Sequence, residues 1–307
     1  MLPAKVARIC DDIRALKIQG ARRIARAGIQ AIALRARLST AKNVDALSRE
    51  LIEAADCVAR ARPTEPMLRN SIRFLFTELR KRKKSFRSVD EMKKAVLEEE
   101  KTLLARFEEN ARKIAEYGAE EIGKGETVLV HCHSSTVMGV LKLAHRQGKR
   151  PRVIATESRP FFQGHMTARE LSGAGLDVTM IVDDAVKSFM HGVDKVMVGA
   201  DAITSTGDLV NKIGTATIAS VACESDVPVF SCAEFYKFDP ATLWGRPEPI
   251  EERDPREVAD PKKFPKVKIR NPAFDVTHAK YLEGYITEKG VLSPSAFVGI
   301  AMKEFGL

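Results

Sequence analysis

The sequence predicts an α/β protein, an N-terminal all-helical domain followed by a Rossmann-like domain with a mainly parallel sheet. Two observations carry this prediction. From Ala4 to about Ile122 apolar residues recur near the helical period, with scarcely any β-branched alternation. After Gly123-Lys-Gly125 short apolar runs alternate with helical ones, the pattern of strands joined by crossover helices. The domains are set at 1–122 and 123–307, each long enough to bury its own core.

In the helical part Gly20 separates two helices, and Pro66 suits the first turn of a helix through Met67–Leu79. Ser88-Val-Asp-Glu91 is a capping box that opens a long helix toward Tyr117. The run Arg80-Lys-Arg-Lys-Lys84 reads as a solvated helix end, where cations are favourable; no aromatic residues interleave with it, which points away from nucleic acid. In the second part strands are expected at Val128–Val130, Arg152–Thr156, Val178–Val182, Lys195–Val198 and Val227–Ser231. Helices are expected after Thr136, Gly164, Asp184 and Lys212. Asp239 to Pro265, rich in Pro and charge, is expected to be a surface excursion. The chain then returns through Phe274–His278 and Gly284–Thr287 to a last helix capped by Ser293, with Pro294 at its first position.

The net charge of +9 is uneven: residues 1–118 hold 27 Lys/Arg against 16 Asp/Glu, and residues 119–307 hold 23 against 25. A basic excess confined to the helical part fits arginines facing phosphate as well as it fits nucleic acid. Five cysteines (10, 57, 132, 223 and 232) form neither a disulfide framework nor a zinc pattern, so reduced thiols are expected. With no signal region and no apolar run of bilayer length, the expectation is a soluble cytoplasmic protein without a membrane partner.

Chemistry concentrates where predicted strands end, because in a parallel sheet those ends share one edge. Thr127–His131 runs into Cys132, then Ser134, Ser135 and Thr136 open a helix whose N–H groups and hydroxyls suit an anion. In an extended strand Cys132 would share a face with Val128 and Val130, with His131 and His133 on the other. A thiol beside a helix N-terminus is drawn toward thiolate, although a free cysteine often serves only as a small buried hydrophobe. Glu157-Ser-Arg159-Pro160 ends the second strand, and Gly199-Ala-Asp201 ends the fourth. Asp201 emerging from apolar surroundings would have its pKa raised and could act as a general acid; its bland alternative is a turn cap. Cys232, Glu234 and Lys237 follow the fifth strand. Asn211-Lys212-Ile-Gly-Thr215 leads into a helix as a plausible phosphate cradle without the Walker spacing. Gly20-Ala21-Arg22-Arg23 and Arg62 offer guanidinium contacts, the usual alternative being surface arginines. His131 and His133 lack further ligands at chelating spacing, so no metal is expected.

These motifs, with Phe274-Asp-Val-Thr277 and Ile286-Thr-Glu-Lys-Gly290, occur in an order that resembles the superfamily of initiation factor 2B α/β/δ subunits and methylthioribose-1-phosphate isomerases. Within it the archaeal ribose-1,5-bisphosphate isomerase branch is most similar, because Cys132 and Asp201 match its catalytic thiol and carboxylate. The resemblance implies the predicted fold, a homo-oligomer (dimer or hexamer), and an aldose-ketose isomerase that needs no cofactor and turns ribose 1,5-bisphosphate from nucleoside catabolism into ribulose 1,5-bisphosphate. AMP is a candidate activator. Substrate contacts are expected at Gly20, Ala21, Arg22, Arg23 and Arg62 for one phosphate, at Ser134, Ser135, Asn211, Lys212 and Lys237 for the other, and at Arg159. One departure stands out: Gln19 replaces the usual Arg before Gly20-Ala21, so Arg22 or Arg23 must substitute or the substrate differs. The alternatives are a methylthioribose-1-phosphate isomerase and a non-catalytic regulatory subunit that binds initiation factor 2 or a nucleotide.

Overall fold

The computed structural model describes residues 2–82 and 86–307, so Lys83 and Lys84 of the basic run lie outside the described residues. The chain forms two compact units, Met1–Glu109 and Asn110–Leu307.

The first unit is helical, with α1 (Ala4–Arg14), α2 (Ala21–Leu38), α3 (Val44–Ala61), α4 (Pro66–Arg82) and the first half of α5 (Val89–Glu120). Its helices begin where the capping residues stand. Asn43 accepts from the Ala46 N–H at 2.8 Å ahead of α3, and Ser88 accepts from the Glu91 N–H at 3.1 Å ahead of α5. Gly20, at φ 86°, makes the break before α2 in a conformation that a side chain would disfavour. Val6, Cys10, Ile13, Ile24, Ala54, Val58 and Leu68 close the core. Gly28 lets the helices approach, since a Cβ there would stand 2.4 Å from Leu68 Cδ1 and 2.8 Å from Val58 Cγ1.

The second unit includes the end of α5, whose Ile114 and Ala119 sit in the same core as the sheet. Its elements are β1 (Thr127–His131), α6 (Ser135–Arg146), β2 (Arg152–Thr156), α7 (Gln163–Gly173), β3 (Asp177–Ile181), α8 (Val186–Met190), β4 (Lys195–Val198), β5 (Ala202–Ile203), β6 (Leu209–Lys212), α9 (Thr215–Glu224), β7 (Val229–Cys232), β8 (Phe274–Thr277), β9 (Gly284–Thr287), β10 (Gly290–Leu292) and α10 (Pro294–Glu304). The main sheet runs β10-β9-β7-β4-β1-β2-β3, parallel except for the edge strand β10. From β1 the chain moves outward through β2 and β3, then returns to place β4 on the other side of β1. The carboxyl ends of β1 and β4 therefore flank the topological switch point, where open α/β sheets form clefts. Val128, Val130, Val153 and Ala155 pack beneath Val137, Leu141 and Leu171 of the helices. Each fully buried valine contributes about 1.5–3 kcal/mol.

Two features differ from the sequence expectation. Phe274–Thr277 does not join the main sheet: it pairs antiparallel with β6, which pairs with β5, in a separate three-stranded sheet. Ala202–Ile203 and Gly290–Leu292 are too short to show an alternation. The excursion after Asp239 is built of 3₁₀ turns capped by Asp239, Asp254 and Asp260.

Gly164 holds the β2–α7 corner, because a Cβ on it would fall 1.7 Å from the Thr156 carbonyl oxygen. Gly164→Ala is expected to cost about 3 kcal/mol or more, since backbone must move; thermal unfolding measures it.

Candidate active site

Cys132 terminates β1 in a left-handed conformation, φ 67°, which breaks the extended alternation expected of it. A residue with a Cβ holds this shape only when its surroundings enforce it. Here the Cys132 N–H donates to Ser158 Oγ at 2.7 Å, and Thr167 Oγ1 donates to the Cys132 carbonyl at 2.9 Å. Ser158, itself at φ 58°, is fixed in turn by Asp183, whose carboxylate accepts from the N–H groups of Ser158 at 2.8 Å and Arg159 at 2.7 Å. His131 is buried: one ring nitrogen meets Thr156 Oγ1 at 2.6 Å and the other the Ile213 carbonyl at 2.8 Å. Burial holds its imidazole below the usual range.

Two corners converge on this one. A Cβ on Gly199, at the end of β4, would stand 2.8 Å from Ser134 Oγ and 3.9 Å from Asn211 Oδ1. On Gly214 it would stand 3.2 Å from the His131 ring. Small residues thus let the chain after β1, after β4 and after β6 meet. The electrostatics agree, for the Lys212 ammonium and the Asp201 and Asp183 carboxylates all act on the Cys132 thiol. Lys237 is buried, and its ammonium donates to the carbonyl of Ala200, beside Asp201.

The thiolate expected from the helix N-terminus is disfavoured. Burial pushes the Cys132 thiol up to about 11; Lys212 and the His133 N–H pull it down, and the two carboxylates push it further up. Desolvation wins because an anion in this corner gives up more hydration than one lysine and one N–H return. Ser134 is also redirected: it is the N-cap of α6, its Oγ accepting from the Val137 N–H at 3.4 Å. Ser135 stays exposed at the first turn.

The phosphate cradle expected ahead of α9 is already occupied by the protein's own anion. Asp275 of β8 sits opposite Asn211 and accepts from the Gly214 N–H at 2.7 Å and the Ala216 N–H at 3.2 Å. Asn211 Nδ2 donates to Thr215 Oγ1 at 3.0 Å. What this segment presents is the Lys212 ammonium, buried and 5.2 Å from the centre of the Phe274 ring. Burial pushes the Asp275 carboxyl up to about 6 despite its N–H donors.

Other expected contacts lie elsewhere. Arg159 is exposed, donating to the Val258 carbonyl at 3.2 Å and lying 5.1 Å from the Phe162 ring. Gly20, Ala21, Arg22, Arg23 and Arg62 belong to the helical unit, at the start of α2 and just after α3. Residues that sequence reasoning did not single out are Asp183, Thr167 and Asn110; Asp275 and Glu288 stood inside quoted motifs without a role of their own. Asn110 Nδ2 donates to Glu234 at 3.1 Å and to Glu288 at 3.3 Å, and the Phe235 N–H donates to Glu288 at 3.3 Å. Burial and the neighbouring Glu234 push the Glu288 carboxyl up to about 7. Glu288 thereby braces the turn that carries Lys237. Asp183 followed the strand-end rule that found Asp201, so its signal was available.

Comparison with known proteins decides the family. Residues 17–294 match the Initiation factor 2 subunit family. The chain belongs to that family. A ribose 1,5-bisphosphate isomerase of Archaeoglobus fulgidus is 44% identical over 304 residues, covering 98% of this chain and 94% of that protein. Among solved structures, the translation initiation factor eIF-2B of Pyrococcus horikoshii superposes with a TM-score of 0.81 at 33% identity, covering 95% of this chain and 98% of that one. The 5-methylthioribose 1-phosphate isomerase of the same organism gives 0.79 at 31%, covering 98% and 87%. The fold is thus shared between proteins named for different functions, and the site must separate them.

Two predictions follow from the site's titrating groups. Alkylation of Cys132 by iodoacetamide, read from its tryptic peptide, is expected to be slow at pH 7 and to climb about tenfold per pH unit toward 11; Lys212→Gln is expected to slow it further. Asp275 and Glu288 have folded-state values raised to about 6 and about 7 from 3.8 and 4.5. Their contribution to stability is therefore complete below about pH 4 and lost as pH rises through 6 and 7. Thermal midpoints of an Asp275→Asn, Glu288→Gln double variant are expected to fall less over that interval than those of the parent.

Proposed function

We propose that the protein is a sugar-phosphate isomerase that converts ribose 1,5-bisphosphate to ribulose 1,5-bisphosphate, with Cys132 and Asp201 as its proton-transfer pair. The observation that carries this reading is the electrostatic proximity of the two groups at the switch point of the sheet, with the buried Lys212 and Lys237 ammonium groups beside them. The extent of likeness to the Archaeoglobus fulgidus isomerase supports the choice of substrate.

In this substrate C1 carries phosphate, so the ring cannot open to a free aldehyde. The Cys132 thiolate takes the proton from C2, and those electrons form the C1–C2 double bond. The bond from C1 to the ring oxygen breaks as that oxygen takes the proton of Asp201. The resulting enol returns its hydroxyl proton to Asp201, and C1 takes a proton from the Cys132 thiol, leaving a ketone at C2 and both groups restored. A thiol near 11 supplies thiolate on the order of one part in 10⁴ at pH 7. It compensates by being a strong base for a weakly acidic C–H. Lys212 and Lys237 meet one phosphate, with Asn211, Ser134 and Ser135 around them; Arg22, Arg23 and Arg62 keep the phosphate role that the family resemblance implies. The product would feed a carboxylase in nucleoside catabolism, in a homo-oligomer on which AMP is the candidate activator.

Incubation with ribose 1,5-bisphosphate should yield the ketose. Cys132→Ser and Asp201→Asn should each lower kcat by at least about 10²-fold. Parent-like turnover in either variant would remove that residue from the mechanism. The likeness to the Pyrococcus horikoshii methylthioribose enzyme keeps methylthioribose 1-phosphate as the second reading, and turnover of that sugar alone would establish it.

A further inference from the structure

His131 stands beside Cys132 in the strand-end motif, yet the proposed chemistry assigns it no part. Its ring joins the end of β1 to the turn after β6. One ring nitrogen, Nδ1, lies 2.6 Å from Thr156 Oγ1, and the other, Nε2, lies 2.8 Å from the carbonyl oxygen of Ile213. Gly214 leaves room for this approach, since a Cβ on it would stand 3.2 Å from both Cε1 and Nε2 of the ring. We propose that His131 is a positioning residue: it clamps the Lys212-Ile213-Gly214 turn to the end of β1 and thereby sets where the Lys212 ammonium stands relative to the Cys132 thiol. The consequence for substrate rests on the isomerase reading, whereas the clamp itself does not.

The protons of this network follow from the groups themselves. A carbonyl oxygen only accepts, so Nε2 carries a hydrogen and donates it to Ile213. In the neutral ring Nδ1 then accepts, and the Thr156 hydroxyl supplies the hydrogen. Thr156 Oγ1 is left to accept from Ser158 Oγ at 3.2 Å, and Ser158 Oγ takes the Cys132 N–H at 2.7 Å. Every donor from Cys132 to Ile213 therefore points the same way. Burial keeps the ring neutral, which preserves that direction; the Ile213 carbonyl and Asp183 act against it, and Lys212 acts with it. On its other side the turn is tied to β8, for the Ile213 N–H donates to the Ala273 carbonyl at 3.0 Å and the Gly214 N–H to Asp275 at 2.7 Å. Held from both sides, the turn fixes the backbone that carries Lys212, whose buried ammonium pulls the Cys132 thiol down.

The test separates the two ring nitrogens in the full-length protein. Glutamine carries an amide nitrogen to about the place of Nε2, whereas asparagine reaches only the place of Nδ1. His131→Gln should therefore retain the clamp and His131→Asn should lose it. The readout is alkylation of Cys132 by iodoacetamide at pH 8, followed on its tryptic peptide, with and without Lys212→Gln in each background. In the parent, Lys212 should accelerate alkylation by about tenfold, the effect of one nearby opposite charge. That ratio should fall to about twofold or less with His131→Asn and stay near the parent value with His131→Gln. Changes in access to the thiol cancel, because both members of a pair share them. Thr156→Val, which removes the hydroxyl facing Nδ1 and keeps the side chain's shape, should lower the ratio too, and it takes the place of His131→Asn if thermal unfolding shows that variant not to fold. A parent-like ratio in the unclamped variant, or a ratio lost equally with His131→Gln and His131→Asn, would overturn the proposal. With ribose 1,5-bisphosphate, His131→Asn should also raise KM by about tenfold, because a displaced lysine meets phosphate less well. Absence of turnover in the parent would remove the isomerase reading alone, and the alkylation ratio would still decide the clamp.

Discussion

The site depends on the short hydrogen bond by which Ser158 Oγ takes the Cys132 N–H. That bond, with Asp183 behind it, stabilises a left-handed turn that a cysteine disfavours, and the turn lifts the thiol out of the strand's regular alternation. Were Cys132 extended, its side chain would join Val128 and Val130 in the core beneath α6. Strain at one residue, held by two neighbouring corners, accompanies a thiol within electrostatic reach of Lys212, Asp201 and Asp183.

Charge in this region is balanced by the protein itself before any substrate arrives. Asp275 neutralises the start of α9, so that helix end is not an anion site; the positive charge on offer is concentrated in the Lys212 and Lys237 ammonium groups. In the proposed mechanism Lys212 meets a phosphate and also favours the Cys132 thiolate, which would couple binding to proton transfer.

Glu288 and Asn110 show how far such support extends. Neither lies at the switch point, yet together they secure the turn between Glu234 and Lys237 through the Phe235 N–H. Asn110, on the long helix α5, gives no local sign of the role, and the motif that contains Glu288 does not say what its carboxylate holds. Lys237 itself was legible as a polar residue shortly after a strand, whereas the carboxylate that braces its turn was not, because the contact joins residues far apart in sequence.

The order of most strands and helices, the caps at Ser88 and Ser293, and the placing of Cys132 and Asp201 at strand ends followed from the sequence alone, because periodicity and capping are local and strand ends of a parallel sheet share an edge. Tertiary structure decided the rest. It moved Phe274–Thr277 into a second sheet, turned the α9 start into a seat for Asp275, and reversed the expected ionisation of Cys132. Each of those outcomes turns on desolvation or on a partner distant along the chain, and neither is encoded in the spacing of nearby residues.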